Sequence, residues 1–568
     1  MRICVLQSSY EGSGYVLNEH DQHSDPSEFT ELHTFEHRCI LKDTAKEQID
    51  AIIGEKFDFY FNFMWGQHED KVAGIDACKY FESFEQPFAG LRSRILERSK
   101  NDFYRDARAS GSPRVPGQEN FPLFVTSCGS HRISKKSICY NELDLIQTLE
   151  SLNQELVSGR PMEFYTVPGI SPSIRIPENV VVQELIAGTD YSVLIVEIGD
   201  CPAPLNPVKY VYPTSIPSVN GVVTYDVAFH PEAQLELMEP EAERDLFDKL
   251  QKSAVEAFRV NKMQGCSWGR VDVRVSPSGE PVVIEVNPMP AVFLPQPRER
   301  EDISIRRSFP GGHRAFINTL IAGYQTRQPS TIKTIEQVSG TYDSVSSLYD
   351  EAVVKNSGLE ELINKVISKY NFDGSILDIG CGTGLFGRCL SSTDARPTPP
   401  PEEAKSHTSS TPDTSTSQPK NFALTGVEIS PGMIEVCKKL GVYHETVCGS
   451  AQSVVPSLGS FDHIVSFNVL LFLSGLELSM VLAAAFRQAR KSIAFSIDEI
   501  PDDFNDQLSE KGQSHMMSQN HLKEVEAFGV PVGWKLVHRF RSYLWKSPGG
   551  EDVFATVFMF EREAAVAS

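Results

Sequence analysis

Residues 269–287 read GRVDVRVSPSGEPVVIEVN, and their polar side chains recur at an interval that brings them together. Arg270, Asp272 and Arg274 alternate with valines and so share one face of an extended strand. Ser276, Pro277, Ser278 and Gly279 supply a turn. On the return run, Glu285 and Asn287 again share a face. Pairing across the turn sets Asp272 roughly opposite Glu285, so two carboxylates and an amide oxygen converge. Hard oxygen donors of this kind suit Mg²⁺, with phosphates and water completing the octahedron. Arg270, one pleat along, is placed to offset charge developing on a phosphoryl or acyl centre. A plain amphipathic hairpin with a solvated polar face is the competing explanation. Against it, the return run is otherwise apolar, and a buried strand should not carry a carboxylate and an amide without partners.

A second stretch, residues 375–390, reads SILDIGCGTGLFGRCL. An apolar strand ends in Asp378, Gly380, Gly382 and Gly384 follow, and a helix begins. Glycines there permit positive φ and close approach of a ligand to a helix N-terminus. A bare G-x-G-x-G turn also occurs in dinucleotide folds. The next apolar strand, in residues 421–430 (NFALTGVEIS), ends in a second acid, Glu428.

These stretches need large scaffolds, and the chain has room for them. Its 568 residues correspond to several domains, and 40% hydrophobic with 23% charged residues suits soluble globular cores. A net charge of −22 argues against a broad nucleic-acid surface, which needs a basic stripe. The 11 cysteines are scattered without a Cys-x-x-Cys pair, which suits a reducing compartment and not a disulfide framework or zinc cluster. The N-terminus lacks the apolar run of a signal peptide, and the apolar stretch 469–486 is interrupted by Ser474, Gly475, Glu477 and Ser479. A cytoplasmic protein without a membrane span is expected.

The hairpin resembles the metal-binding hairpin of ATP-grasp enzymes of the D-alanine–D-alanine ligase-like branch. The resemblance covers about residues 1–327 and implies that Asp272, Glu285 and Asn287 bind the Mg²⁺ ions bridging ATP, with Arg270 as the transition-state arginine. Lys100, in the stretch PFAGLRSRILERSKNDFYRDARASG, falls where the family has an ATP-phosphate lysine; a solvated helix lysine is the plainer reading. Residues 180–197, VVVQELIAGTDYSVLIVE, resemble the hairpin whose backbone around Glu184 to Ile186 meets adenine, with Asp190 on the ribose hydroxyls. Departures occur at Thr126 and Ala228, each standing for a phosphate lysine, and at Ala291, which stands for a glycine of the acceptor loop. Arg132, Lys135 and Lys136 lie near enough in sequence to substitute, although a solvated basic cluster is the commoner case.

From residue 341 the chain resembles class I S-adenosylmethionine-dependent methyltransferases: LDIGCGTG matches their first motif. That implies a Rossmann-like domain in which Asp378, Gly380, Gly382 and Gly384 approach the cofactor and Glu428 receives the ribose hydroxyls. Ser450 and Ala451 match the adenine-side loop, with Ser450 in place of the usual Asp. Asn468 is expected near the methionine end, and Tyr342 matches a tyrosine that lines the pocket. Residues 391–420 are rich in Ser, Thr and Pro and read as a disordered insertion. Residues 328–340 are polar and read as a linker, giving domains 1–327 and 341–568.

The expected architecture is a multidomain α/β chain, an ATP-grasp fold followed by a class I methyltransferase fold. The expected activity is bifunctional: ATP-dependent ligation of a carboxylate to an amine or similar nucleophile through an acyl phosphate, and methyl transfer to a small molecule in specialised metabolism. ATP, Mg²⁺ and S-adenosylmethionine are the implied cofactors. Small-molecule carboxylates and amines are the expected partners, without nucleic acid or membrane; a homodimer is one of the states left open. The alternative is a methyltransferase whose N-terminal half is an inactive nucleotide- or metabolite-binding regulatory module, which Thr126 and Ala228 favour.

Overall fold

The computed structural model describes residues 1–11, 24–68, 70–127, 137–155, 163–212, 234–290, 292–294, 302–393 and 422–563. Ala228, Ala291, Arg132, Lys135, Lys136 and nearly all of the expected insertion 391–420 lie outside them. The chain divides into two compact units, Met1–Tyr324 and Gln325–Ser568.

In the first unit, β1 (Arg2–Ser8), β2 (Thr34–Ile40), β3 (Phe59–Phe63) and β4 (Phe88–Gly90) form a parallel sheet in the order β2-β1-β3-β4. All five residues of β3 are buried; four are aromatic, as suits a strand covered on both faces, and the fifth, Asn62, donates from Nδ2 to the Leu91 carbonyl at 2.7 Å. β5 (Leu123–Ser127), β6 (Ser137–Cys139) and, beyond the short pair β7 (Phe164–Tyr165) and β8 (Ile176–Pro177), β9 (Val180–Glu184) make a sheet ordered β6-β5-β9. The site-bearing sheet is antiparallel: β10 (Thr189–Ile198), β11 (Cys201–Pro204), β12 (Val208–Val211), β13 (Gln234–Leu237), β14 (Trp268–Val275) and β15 (Pro281–Asn287) run in the order β13-β12-β10-β14-β15, with β11 on β10. The helix Arg244–Val260 buries Phe247, Leu250, Ala254, Ala257 and Phe258, spaced along one helical face. Full burial of each large side chain contributes about 1.5–3 kcal/mol.

Two details fix β14. Glu197 of β10 is buried, and its carboxylate accepts the N–H groups of Gly265 and Ser267 at 2.8–2.9 Å, holding the segment that feeds β14. Gly188, at φ +147°, lies so close to Val275 that a Cβ would sit 1.9 Å from its carbonyl oxygen, so no larger residue fits.

The second unit is built on β16 (Gly374–Ile379), β17 (Phe422–Glu428), β18 (Tyr443–Cys448), β19 (Phe461–Ser466), β20 (Ala489–Asp498), β21 (Trp534–Lys546) and β22 (Asp552–Arg562). The order is β18-β17-β16-β19-β20-β22-β21, parallel except that β22 is antiparallel to both neighbours. Strand order reverses at β16, between β17 and β19, and the carboxyl ends flanking such a switch point form the ligand crevice of open α/β sheets. The apolar stretch 469–486 is a 3-10 turn, Leu470–Phe472, and most of the helix Gly475–Gln488, which starts in a capping box between Ser474 and Glu477. Among the described residues no helix is long and apolar enough to cross a membrane.

The expected linker 328–340 is corrected. It lies within the helix Pro329–Val345, which opens with proline at its first position and belongs to the second unit. Val338 is buried, and the side chains of Ser339 and Asp343 bond to the segment that follows Glu428.

Candidate active sites

In the first unit, β14 and β15 pair as the alternation requires: Asp272 stands opposite Glu285 and Arg270 opposite Asn287. Ile284 is left without a partner at a register shift, and the Tyr104 hydroxyl lies 2.7 Å from its carbonyl. The return strand is less buried than its composition suggests, since Ile284 to Asn287 are all half-exposed. Each carboxylate meets a cation. Arg270 donates from Nε and Nη2 to the two Asp272 oxygens at 2.7 and 2.8 Å. Lys100 Nζ lies 3.4 Å from Glu285 Oε2 and 5.7 Å from the Tyr104 ring centroid.

Lys100 is therefore not a solvated helix lysine. It opens the helix Lys100–Ser110, capped by Ser99 and Asp102, and its side chain is only 15% exposed. Burial works to lower its pKa, but Tyr104 and Glu285 outweigh that and raise it, keeping the ammonium charged. Asn287 Oδ1 accepts the Met289 N–H at 2.9 Å and retains a second lone pair. Among the described residues no three His, Cys, Asp or Glu side chains cluster as a metal site. Two carboxylates and one amide fit Mg²⁺ only with further oxygen ligands from phosphate and water.

The nucleotide side departs from expectation. Asp190 lies directly opposite Arg274 in the β10–β14 register and forms a two-pronged ion pair with it at 2.7 and 2.8 Å. Its carboxylate is paired with that guanidinium, and ribose hydroxyls at Asp190 would have to share it. At the hinge, the N–H of Glu184 bonds to the Gly117 carbonyl, that of Leu185 to the Pro122 carbonyl, and the Ile186 carbonyl accepts from Arg274. Adenine contact at Glu184 to Ile186 would have to use the segment's other backbone groups. Thr126 sits in β5 opposite Val181. Tyr104 was missed; its signal was its place four residues after Lys100, one helical turn on.

In the second unit a cavity of about 710 Å³ opens at the carboxyl ends of β16, β17 and β19. Asp378, Gly380 and Gly382 line it from the first loop, and Glu428, Ser450 and Ala451 from the second and third strands' ends. Asn468 and Tyr342 complete the expected set. Gly384 does not line it and is corrected: at φ +88°, a Cβ would meet Leu440 Cδ1 at 2.5 Å, so this glycine serves packing. A Cβ on Gly380 would meet Val469 Cγ2 at 2.0 Å, whereas one on Gly382 would meet nothing within 4 Å. The backbone at Gly382 thus borders open space.

Glu428 is buried and held at both oxygens, by the Gly382 N–H and the Ser430 N–H, each at 3.0 Å. Burial raises its pKa against those backbone bonds. Asp378 accepts the Tyr443 hydroxyl at 2.5 Å, yet burial pushes its carboxyl up to about 7. Asn468 occupies the left-handed region at φ +58°, where its short polar side chain is tolerated, and its N–H bonds to Ser496 Oγ at 3.0 Å. The helix Pro329–Val345 contributes Thr334, Ile335, Gln337 and Val338 to the wall. Sequence reasoning missed these and Tyr349, whose ring centroid is 6.0 Å from that of Tyr342. A carboxylate over an open glycine turn fits a cofactor that presents a ribose.

Comparison with known proteins agrees with both halves. Residues 169–293 match the family model for the D-ala D-ala ligase C-terminus, and residues 414–494 match a methyltransferase domain. Similar solved structures include the VanG D-Ala:D-Ser ligase from Enterococcus faecalis, at 15% identity and TM-score 0.40 over 57% of this chain and 99% of that one. The D-alanine-D-alanine ligase from Coxiella burnetii is 14% identical, at TM-score 0.35 over 59% of this chain and 97% of that one. The magnesium protoporphyrin IX methyltransferase ChlM from Synechocystis PCC 6803, with bound SAM, is 12% identical, at TM-score 0.24 over 36% of this chain and 78% of that one. No curated protein matches. The chain joins a D-alanine–D-alanine ligase-like ATP-grasp part to a class I S-adenosylmethionine-dependent methyltransferase part. Both are enzyme types, with ATP, Mg²⁺ and S-adenosylmethionine as their cofactors.

Proposed function

We propose that the chain is a bifunctional enzyme of specialised metabolism. Its first unit activates a small-molecule carboxylate with ATP as an acyl phosphate and passes the acyl group to an amine or similar nucleophile. Its second unit methylates a small molecule or amino-acid derivative. The observation that carries the ligase reading is the single patch formed by Asp272, Glu285, Asn287, Arg270 and Lys100. The three oxygen-bearing side chains would hold Mg²⁺, which when bound supplies charge neutralisation at the phosphates. Lys100 and Arg270, freed from their carboxylates, would then bind phosphoryl oxygens, and Arg270 would stabilise the reacting centre. In the second unit Glu428 would receive ribose hydroxyls and the Gly382 turn would let the cofactor approach the backbone. Methyl transfer then relies chiefly on orientation.

The regulatory reading keeps one specific support: Thr126 in place of a phosphate lysine. ADP formation from ATP and Mg²⁺, across a panel of amino-acid carboxylates and amines, separates the two. Turnover that disappears in Glu285→Gln establishes the ligase. Tight ATP binding without turnover under every combination establishes the regulatory module.

A further inference from the structure

The methyltransferase cavity has a second distinctive wall. His515 lines it, from the 3-10 turn Ser514–Met516, against the helix Pro329–Val345. We infer that His515 is the proton acceptor for methyl transfer, held in one tautomer by Thr341, and that the methyl acceptor is an uncharged molecule offering an O–H or N–H. This rests on the methyltransferase reading of the cavity.

The tautomer turns on one proton. Thr341 Oγ1 lies 3.0 Å from the Gln337 carbonyl one turn back and 2.8 Å from His515 Nε2, and its single hydroxyl proton can serve only one of them. We assign that proton to the carbonyl, so that Oγ1 accepts from Nε2–H and in the neutral ring Nδ1 is left with its lone pair. Among the described residues no hydrogen bond occupies Nδ1.

The competing bases are already engaged. Glu428 accepts two backbone N–H groups, and Asp378 accepts the Tyr443 hydroxyl. Glu477 accepts the Ser474 N–H at 2.8 Å and Gln452 Nε2 at 3.2 Å. These three carboxylates line the cavity together with His515, and among the described residues no lysine or arginine does. Such a wall favours the cationic cofactor and offers an anionic acceptor no cation of the protein's own. In the step itself the acceptor's lone pair forms the bond to the methyl carbon. The carbon–sulfur bond breaks with its electrons going to sulfur, and the acceptor's proton goes to His515 Nδ1.

The test uses the full chain with ¹⁵N-labelled histidine and bound S-adenosylhomocysteine. Long-range ¹H–¹⁵N spectra should show His515 protonated at Nε2 alone. Thr341→Ser should keep that state and Thr341→Val should mix the tautomers. With S-adenosylmethionine, phenol or aniline should be methylated slowly and benzoate not at all, and His515→Gln should lower the rate by about 100-fold or more. An Nδ1–H tautomer, indifference to Thr341→Val, methylation of benzoate, failure of both neutral probes, or an unchanged rate in His515→Gln overturns the inference. Calorimetry keeps the two readings apart: no binding of S-adenosylmethionine by the wild type removes the methyltransferase reading instead.

Discussion

Asp272 and Glu285 face each other across β14 and β15, and each is neutralised from a different direction. Arg270 reaches Asp272 along its own strand, and Lys100 reaches Glu285 from a helix 185 residues away in sequence. The patch therefore contains both the acids that would hold a metal and the cations that would hold phosphate.

Single substitutions should separate these roles. Glu285→Gln and Asn287→Ala are expected to abolish Mg²⁺-dependent ADP formation while leaving the thermal transition nearly unchanged, because both residues are half-exposed. Lys100→Ala should weaken ATP binding by about 1.5–3 kcal/mol, the range for a hydrogen bond to a charged group. Isothermal calorimetry with ATP and Mg²⁺ checks the latter. Unchanged turnover in the first two variants would remove the metal assignment.

Glu428→Ala should weaken S-adenosylmethionine binding by roughly 1.5–3 kcal/mol for each charge-assisted hydrogen bond lost. Gly382→Val should weaken it too, by filling the open space beside the turn. Gly384→Ala should instead cost stability, about 1–3 kcal/mol from its strained backbone, because it lies off the cavity wall. Affinity and melting temperature measured on all three variants test the division; equal loss of affinity at Gly384 would contradict it.

Asp498 provides a pH prediction. Burial pushes its carboxyl up to about 7, despite the lowering effect of Trp545 Nε1 at 3.4 Å, and its Oδ1 has no partner among the described residues. A carboxyl raised above its unfolded value of 3.8 gives stability that is fully present below that value and lost as pH rises through about 7. Asp498→Asn, which mimics the protonated form, should therefore match wild type near pH 4. At about pH 8 it should be more stable, by on the order of 2–4 kcal/mol. Denaturant unfolding at the two pH values decides it, and a variant less stable at the higher pH would refute the uncompensated charge.

A cut between Tyr324 and Pro329 should yield two soluble fragments, each retaining its own cofactor affinity. A second fragment begun at residue 341 should lose affinity for S-adenosylmethionine, since it lacks Thr334, Ile335, Gln337 and Val338 from the cavity wall. Calorimetry on the two C-terminal fragments distinguishes these outcomes, and equal affinities would show that the helix is dispensable.

The β14–β15 hairpin was legible because period-two alternation and a short turn together constrain register. The unpaired Ile284 was not, since nothing local demands an extra residue there. Lys100 was ambiguous because one-dimensional spacing cannot show a contact made across 185 residues. Arg274 was read only as part of a polar face, yet that face puts it opposite Asp190 and pairs the two. The stretch 328–340 reads as a linker because polar Gln, Ser and Thr are spread along it, yet it lies within the helix Pro329–Val345 apart from its first residue. Its apolar residues Ile332, Ile335, Val338 and Tyr342 nevertheless follow helical spacing, and the polar Ser339 and Asp343 find partners that only the folded unit provides.

That helix also fixes where such a chain can be recombined. An exchange of modules at residue 341 would keep every recognisable methyltransferase motif and still discard one side of the chamber in which they work. The natural seam is the short stretch 326–328, ahead of Pro329. A donor module must bring its own entry helix, with counterparts of Ser339 and Asp343 to hold it to the strand end at Glu428. Sequence motifs mark the floor of this chamber, but the transferable piece begins a helix earlier.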